Sequence, residues 1–451
     1  MSSSNFWAEY LVRAKDRPIP ELTLKKTRLH VLDTLAAVVS GHQLPAGQAG
    51  MRLAKRLGGA PEATVLSTPL FKCDAIQAAT ANAMAAHGDE TDDSHLRGRF
   101  HPGCSIVPAA LAAAELFGAS GRQMLHAVAA GYDIGARAVL ALGFPEHEAA
   151  RFSTHTIGGQ WGAAAAVIAL APLSLQQAHW ALSYTAQQVS GIPYWRKDKD
   201  HIEKSFDFGA LAARNALFTV IAVQAGWTGC VDVLEGSESY LSAFGFNPSP
   251  NELTLELGQR YEIEAATIKK WCVGSPIQAV LDSTKFLIDA HGLKANDVKK
   301  VVITMPDDRM HIVDNRDMPD VCVQHLAAVA LLDGTVSFQA AHDHARMQAA
   351  DILAMREKIT LTPSHELTLA KPARQATVAI ELMNGQLVSR HTVSVLGTPE
   401  NPMHATQVEE KALDLVTDLL GDRAAARLVA AFDTKDHERP VADILNNIFT
   451  H

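Results

Sequence analysis

The chain has 451 residues, 47% of them hydrophobic and 20% charged, with a formal net charge of −9. That length exceeds what one core ordinarily holds and predicts two domains, while an acidic balance without long like-charge runs excludes a nucleic-acid-binding surface. The five cysteines form no CxxC pair, which excludes a zinc knuckle, an iron–sulfur cluster of ordinary local spacing and a secreted disulfide framework.

Asn5 to Lys15 and Leu24 to Ser40 carry apolar residues at helical spacing, with Gly41 ending the second. The N-terminus has no apolar core of signal-peptide type, and the longest apolar run, Trp161 to Ala171, is too short for a bilayer and stops at Pro172. The expectation is a soluble cytoplasmic protein with no membrane partner. Asp74 to His87 (DAIQAATANAMAAH) is strongly helix-forming, and Gly88 stands where a left-handed residue would end it. Cys104 to Gly118 (CSIVPAALAAAELFG) predicts a second apolar helix terminated in the same way by Gly118.

Between these helices lies His87 to Pro102, HGDETDDSHLRGRFHP, a loop dense in histidine, acid and arginine. Buried flanks would hold its titratable groups in fixed positions with shifted pKa values. Three readings are open: a solvated acidic connection, a metal site, and metal-free acid–base chemistry. His87, Asp89, Glu90, Asp92, Asp93 and His95 could supply nitrogen and oxygen ligands, although nothing fixes a tetrahedral or octahedral set. In the third reading His101 or His95 carries protons, tuned by the neighbouring carboxylates.

Further along, Ser120 to Gln123 and Ser174 to Gln177 have the Ser-x-x-Gln pattern of a capping box and each opens a helix. Thr156 to Ala171 is an alanine- and glycine-rich helix, and Asp207 is placed to cap another that runs to Ala225. Together these read as a buried helical bundle. The period changes after Tyr261. Tyr261 to Ile268, Val298 to Met305 and Lys358 to Thr362 predict strands, and Ala376 to Val395 a hairpin with a type I′ turn at Asn384-Gly385. Helices at Pro276 to His291 and Val321 to Leu332 lie between them. Thr406 to Glu409 predicts one more capping box at the start of the C-terminal helices. The fold expected is mainly α: a helical domain of residues 1–266 and 404–451 with an inserted α+β domain of residues 267–403.

His155 stands at a helix N-terminus, where backbone N–H groups help hold an anion. Lys269-Lys270 at the domain junction suits a carboxylate substrate, and Arg316 could clamp a carboxylate bidentately or pair with Asp314 or Asp320. His342-Asp343-His344 resembles a metal pair, but residues i and i+2 on a helical turn do not face one another, so a surface position is expected.

These stretches resemble the MmgE/PrpD family, which includes 2-methylcitrate dehydratase, cis-aconitate decarboxylase and iminodisuccinate epimerase. The carriers are HGDETDD with the following HPG, SGRQMLHAVAAGYDIGAR, FSTHTIGGQWGAAAA, KSFDFGALAARNA, DVLEG, KKWCVGSPIQA and LLDGTVS, in that order along nearly the whole chain. The resemblance implies a homodimer, no metal or organic cofactor, and a site between the domains for a small anionic carboxylate. It carries over Glu90 as the acid of the family's H-x-x-D-x-D-D pattern, His101 of HPG, His155 before the glycine-rich helix, Lys204 ahead of F-D-x-G, and Lys270. Asp93, Arg99, Ser275 and Arg316 are expected to bind substrate.

Two departures stand out: Trp271-Cys272-Val273-Gly274 replaces a proline- and cysteine-rich segment of the dehydratases, and Val313 or a neighbour stands where decarboxylase members have a tyrosine. The residues suit removal of a proton alpha to a carboxylate, with a histidine as base, Glu90 orienting an imidazole, and Lys204 and Lys270 neutralising developing negative charge. The first expectation is a hydro-lyase of the 2-methylcitrate dehydratase type; an iminodisuccinate-type epimerase, a cis-aconitate-type decarboxylase and a metal-dependent hydrolase are the alternatives.

Overall fold

The structure, a computed structural model, describes residues 2–145 and 151–449. Its contacts divide the chain into two units: Met1–Gly88, Asp92–Thr267 and Ala405–His451 in the first, Asp89–Thr91 and Ile268–His404 in the second. The architecture is mainly α with a smaller α+β part.

In the first unit, small side chains let long helices approach closely. They are Ser3–Ala14 (α1), Glu21–Gly41 (α2), Pro45–Leu57 (α3), Ala75–Ala86 (α4), Gly103–Phe117 (α5), Gly121–Ala141 (α6), Thr154–Leu170 (α7), Leu175–Gln187 (α8), Ile202–Ser205 (α9) and Leu211–Gln224 (α10). Glycine sets the distance between α6 and α7: a Cβ at Gly135 would lie 2.6 Å from the carbonyl oxygen of Gly158. One at Gly158 would lie 2.7 Å from the Phe100 ring, so alanine at Gly135 would force the two helix backbones apart and alanine at Gly158 would displace the ring. That packing sets the first turn of α7, which carries His155, beside Phe100 and His101. Helices Ala405–Leu420, Asp422–Val429 and Val441–Phe449 complete the unit, the first lying on α2 with Lys411 Nζ 2.6 Å from Asp33 Oδ1.

Both predicted capping boxes at Ser120 and Ser174 form, and Gly118 ends α5 in the left-handed conformation. Other local expectations are corrected. Gly88 is not left-handed; His87 terminates α4 at φ −113° and the chain stays on the negative side. Asp207 caps nothing, because α9 continues through a π turn at Phe206–Ala210 into α10 and Asp207 bonds to side chains of another helix instead. The continuous stretch Ile202–Gln224 is therefore long and apolar enough to cross a membrane, although about two-thirds of its most apolar window is buried. Tyr261 to Ile268 is a 3-10 turn, Glu262–Ala265, followed by a two-residue strand, Ala266–Thr267, that pairs with Ser94–His95. Thr406 lies inside its helix, which starts at Ala405.

The second unit is built on a four-stranded sheet in which alternation meets a helical layer. Val298–Pro306 pairs in parallel with Ile359–Ser364 and antiparallel with Ala376–Leu382, which in turn pairs antiparallel with Leu387–Thr392. Along Ala376–Leu382 the residues Ala376, Val378, Ile380 and Leu382 are buried in alternation, and helices Gln278–His291 and Val323–Asp333 share their core. In the hairpin turn only Gly385 has positive φ, at 87°, so the turn is not type I′, which needs two such residues.

Candidate functional site

The polar loop folds as a set of buried pairs, one of which joins two histidines. Asp92, fully buried, places Oδ2 2.9 Å from His87 Nδ1 and Oδ1 3.1 Å from His101 Nδ1. A carboxylate accepts only, so each Nδ1 carries a proton, and in the neutral form each ring keeps its lone pair on Nε2. Asp92 thereby fixes the tautomer of both rings, as the carboxylate of a catalytic triad does for its histidine. His87 is wholly enclosed at the end of α4. Burial pushes its pKa down, against the pull of Asp92, to about 4, so it is neutral at pH 7.

His101 is the more accessible of the pair at 9% exposure, and its ring centroid lies 5.3 Å from that of His155. His155 follows Ser153, whose Oγ accepts from Thr156 N–H to cap α7. Its imidazole is held well below the ordinary histidine range by burial first, then by His101, His87 and Lys204. Phe208 unites the cluster: its ring stacks on His155 at 3.7 Å and on His87 at 4.4 Å. Lys204 Nζ lies 5.4 Å from that ring and 5.6 Å from the Trp195 ring, a cation held over two aromatic faces. The π turn at Phe206–Ala210 aims Phe208 inward, and it presses close enough that a Cβ on Gly209 would come within 2.9 Å of the Ala83 carbonyl. Such turns recur at functional sites because they re-aim side chains within a helix. Asp207, in the same turn, accepts from Ser153 Oγ at 2.5 Å and from Thr156 Oγ1 at 2.7 Å, tying the turn to the start of α7.

Other loop residues have separate partners. Asp93, expected to bind substrate, has both oxygens occupied: Gly103 N–H donates to Oδ1 at 2.8 Å, Tyr132 O–H to Oδ2 at 2.6 Å, and His30 Nδ1 lies 2.6 Å from Oδ2. It anchors the loop to α2, α5 and α6. His95 Nδ1 accepts from Gly98 N–H at 2.9 Å, so Nε2 carries the proton that faces Glu262 at 3.2 Å. Burial alone would raise the Glu262 carboxyl, but His95, Arg260 and Arg97 prevail and hold it at about 2. Arg99 sits at φ 50° with its guanidinium donating to the Pro145 carbonyl.

In the second unit, Lys269 and not Lys270 is the buried lysine. Its Nζ donates to the Glu90 carbonyl at 2.7 Å and lies 3.6 Å from Glu90 Oε2. Lys270 is half-buried, with Nζ 5.8 Å from the Trp271 ring centroid. Ser275 begins a 3-10 turn, Ser275–Ile277, and is half-buried, as is Arg316. Asp314, offered by the sequence as a partner of Arg316, accepts instead from Gln324 Nε2 at 2.5 Å. Val313 is fully buried in the sheet core.

Of the six residues of the metal reading, Asp93 is taken up by Tyr132 and His30 and His95 by Glu262, while Asp89 and Glu90 belong to the second unit. Among the described residues, His87, Asp92 and Cys104 bring ligand atoms within 4.8 Å of one another and could hold an ion. That trio reuses the pair that fixes the His87 tautomer, and Cys104 Sγ already contacts the carbonyls of His101 and Phe208 at 3.3 and 3.5 Å. Asp92, offered by the sequence only as a metal ligand, is the bridge, and Phe208 of the F-D-F repeat is the shared stacking face that no sequence expectation named.

Comparison with known proteins finds matches along most of the chain. The MmgE/PrpD N-terminal domain matches residues 7–253 and the MmgE/PrpD C-terminal domain residues 271–436. The cis-aconitate decarboxylase-like protein oryM of Aspergillus oryzae is 22% identical over 401 residues, which cover 82% of this chain and 81% of that protein. With both domains matched in order over most of its length, the chain belongs to the MmgE/PrpD family, whose enzymes are lyases and isomerases.

Proposed function

We propose that the protein is an acid–base enzyme that removes the proton alpha to a carboxylate of a small di- or tricarboxylate, acting first as a hydro-lyase of the 2-methylcitrate dehydratase type. The observation that carries this reading is the Asp92 bridge: it turns the Nε2 lone pair of His101, the more accessible ring, into a fixed proton acceptor. His155 is the weaker candidate for base, because an imidazole held well below its ordinary pKa binds a proton poorly at pH 7.

In this mechanism His101 Nε2 takes the alpha proton, and the C–H electron pair passes into the carboxylate as an enediolate. Lys204, held over Phe208 and Trp195, supplies the positive charge that receives substrate carboxylate and intermediate. The pair then returns to form a carbon–carbon double bond as the β-hydroxyl is protonated and leaves as water. Glu90, at the family's acid position, and Lys270 are proposed as a further acid–base group and a further positive charge. Reprotonation on the opposite face would instead give an epimerase. Decarboxylation is a second reading favoured by the Aspergillus oryzae relative; there the carbon–carboxylate bond breaks and the same histidine would deliver a proton to the carbon.

A panel of di- and tricarboxylates tests the proposal, read by ultraviolet absorbance of a new double bond and by carbon dioxide release. A substrate that is dehydrated by the natural protein and turned over at least a hundredfold more slowly by His101→Ala and Lys204→Ala is the expected result. Near-normal turnover in both variants would remove the assignment.

A further inference from the structure

His342, expected at the surface, is the partner of the segment that carries Glu90. Within the second unit Asp89 closes a turn on Thr91, whose N–H donates to Oδ1 at 2.7 Å and whose Oγ1 donates to Oδ2 at 2.6 Å. Glu90 is the middle residue of that turn, and its carbonyl accepts from Lys269 Nζ at 2.7 Å. His342 Nε2 stands 2.7 Å from Asp89 Oδ2, an ion pair in contact, while Nδ1 donates to the Phe338 carbonyl at 2.7 Å. The Phe338 carbonyl only accepts, so Nδ1 carries a proton, and the carboxylate beside Nε2 favours the doubly protonated imidazolium. Burial opposes the charge, but Asp89, Asp320 and the Phe338 carbonyl outweigh it and raise the pKa to about 9. On the other side, burial would raise the Asp89 carboxyl, and His342 and Thr91 together lower it.

We propose that His342 is a positioning residue: its imidazolium pins Asp89 and thereby fixes the Asp89–Thr91 turn that presents Glu90. The role given to Glu90 rests on the function proposed above, whereas the pinning itself rests only on these contacts. The arrangement is demanding on charge. A neutral side chain at position 342 leaves a buried carboxylate without its counter-charge, and the turn loosens. Because Glu90 acts on a reacting centre, a displacement of the order of 1 Å costs turnover more than binding.

The test uses the full chain. In His342→Gln, hydrogen exchange of the peptide containing Thr91 should rise at least tenfold, while the exchange of α5 to α7 stays unchanged. His342→Lys, which keeps a positive charge, should restore protection. With a substrate in hand, His342→Gln should lower kcat about ten- to hundredfold with KM within about twofold. The double variant His342→Gln/Glu90→Gln should be no slower than Glu90→Gln alone, since residues acting as one unit are not additive. Unchanged exchange at Thr91, or full additivity with Glu90→Gln, would overturn the proposal. If exchange rises but Glu90→Gln is fully active, the pinning stands and the catalytic assignment of Glu90 falls.

Discussion

Asp92→Asn isolates the tautomer argument because it preserves shape and removes one acceptor. The wild-type carboxylate accepts from two Nδ1–H groups, at 2.9 Å from His87 and 3.1 Å from His101. An asparagine has one acceptor oxygen and one NH2 group, so only one ring can keep its Nδ1 proton. The ring facing the NH2 must move its proton to Nε2, and with it loses the outward lone pair. Where the same substitution forces the wrong tautomer in a serine-protease triad, turnover falls about 10⁴-fold. Where the NH2 faces His101, the expected loss in kcat is up to about 10⁴-fold, or ~5 kcal/mol in the barrier; where it faces His87, that ring switches instead and His101 keeps its lone pair. The rings can be followed directly by ¹⁵N chemical shifts, where one of the two should switch from the Nδ1–H to the Nε2–H form. A variant with both rings still in the Nδ1–H form, or with the His101 ring switched and kcat within threefold of the natural protein, would refute the reasoning.

Three other outcomes follow from the same contacts. His87 should remain neutral in an NMR titration until about pH 4, and a midpoint near 6.5 would show that its enclosure has been misjudged. His342 behaves oppositely: its folded pKa of about 9 lies above the unfolded value, so its contribution is full below pH 6.5 and is lost as pH rises through 9. His342→Gln should therefore flatten the decline in melting temperature between pH 6.5 and 9, and an unaltered slope would contradict the ion pair. A Cβ at Gly103 would lie 2.5 Å from Thr34 Oγ1 and 2.8 Å from Asp93 Oδ1, so Gly103→Ala should cost about 1–3 kcal/mol in denaturant unfolding.

How far the sequence foretold these contacts depended on the range of the interaction. The helical part was legible because alanine-rich periodicity and the Ser-x-x-Gln boxes at Ser120 and Ser174 act within one turn. Asp207 was misread because its hydrogen-bond partner Ser153 lies 54 positions away, and a local rule sees only a possible cap. The same blindness hid His342. Judged against its own helix it faces no neighbour, yet Asp89, brought there by the fold, makes it a half-buried cation. Residues 261–268 look like a strand by alternation, but Glu262 turns inward to His95 and the segment coils as a 3-10 turn to reach it. His101, His155 and Lys204 were expected from motif order and gather around Phe208, whereas Asp92, expected only as a metal ligand, links two imidazoles across positions that no local rule connects.

The central claim is proton removal by His101, and exchange of the alpha hydrogen with solvent tests it most directly. A di- or tricarboxylate substrate incubated with the protein in heavy water, then followed by proton NMR, should lose its alpha-hydrogen signal or give a product bearing deuterium at that carbon. His101→Ala should slow that exchange at least a hundredfold while His101→Ala protein still melts as a folded chain. Turnover of a true substrate with no deuterium incorporated in either direction and no primary isotope effect, or exchange unchanged in His101→Ala, would contradict the account.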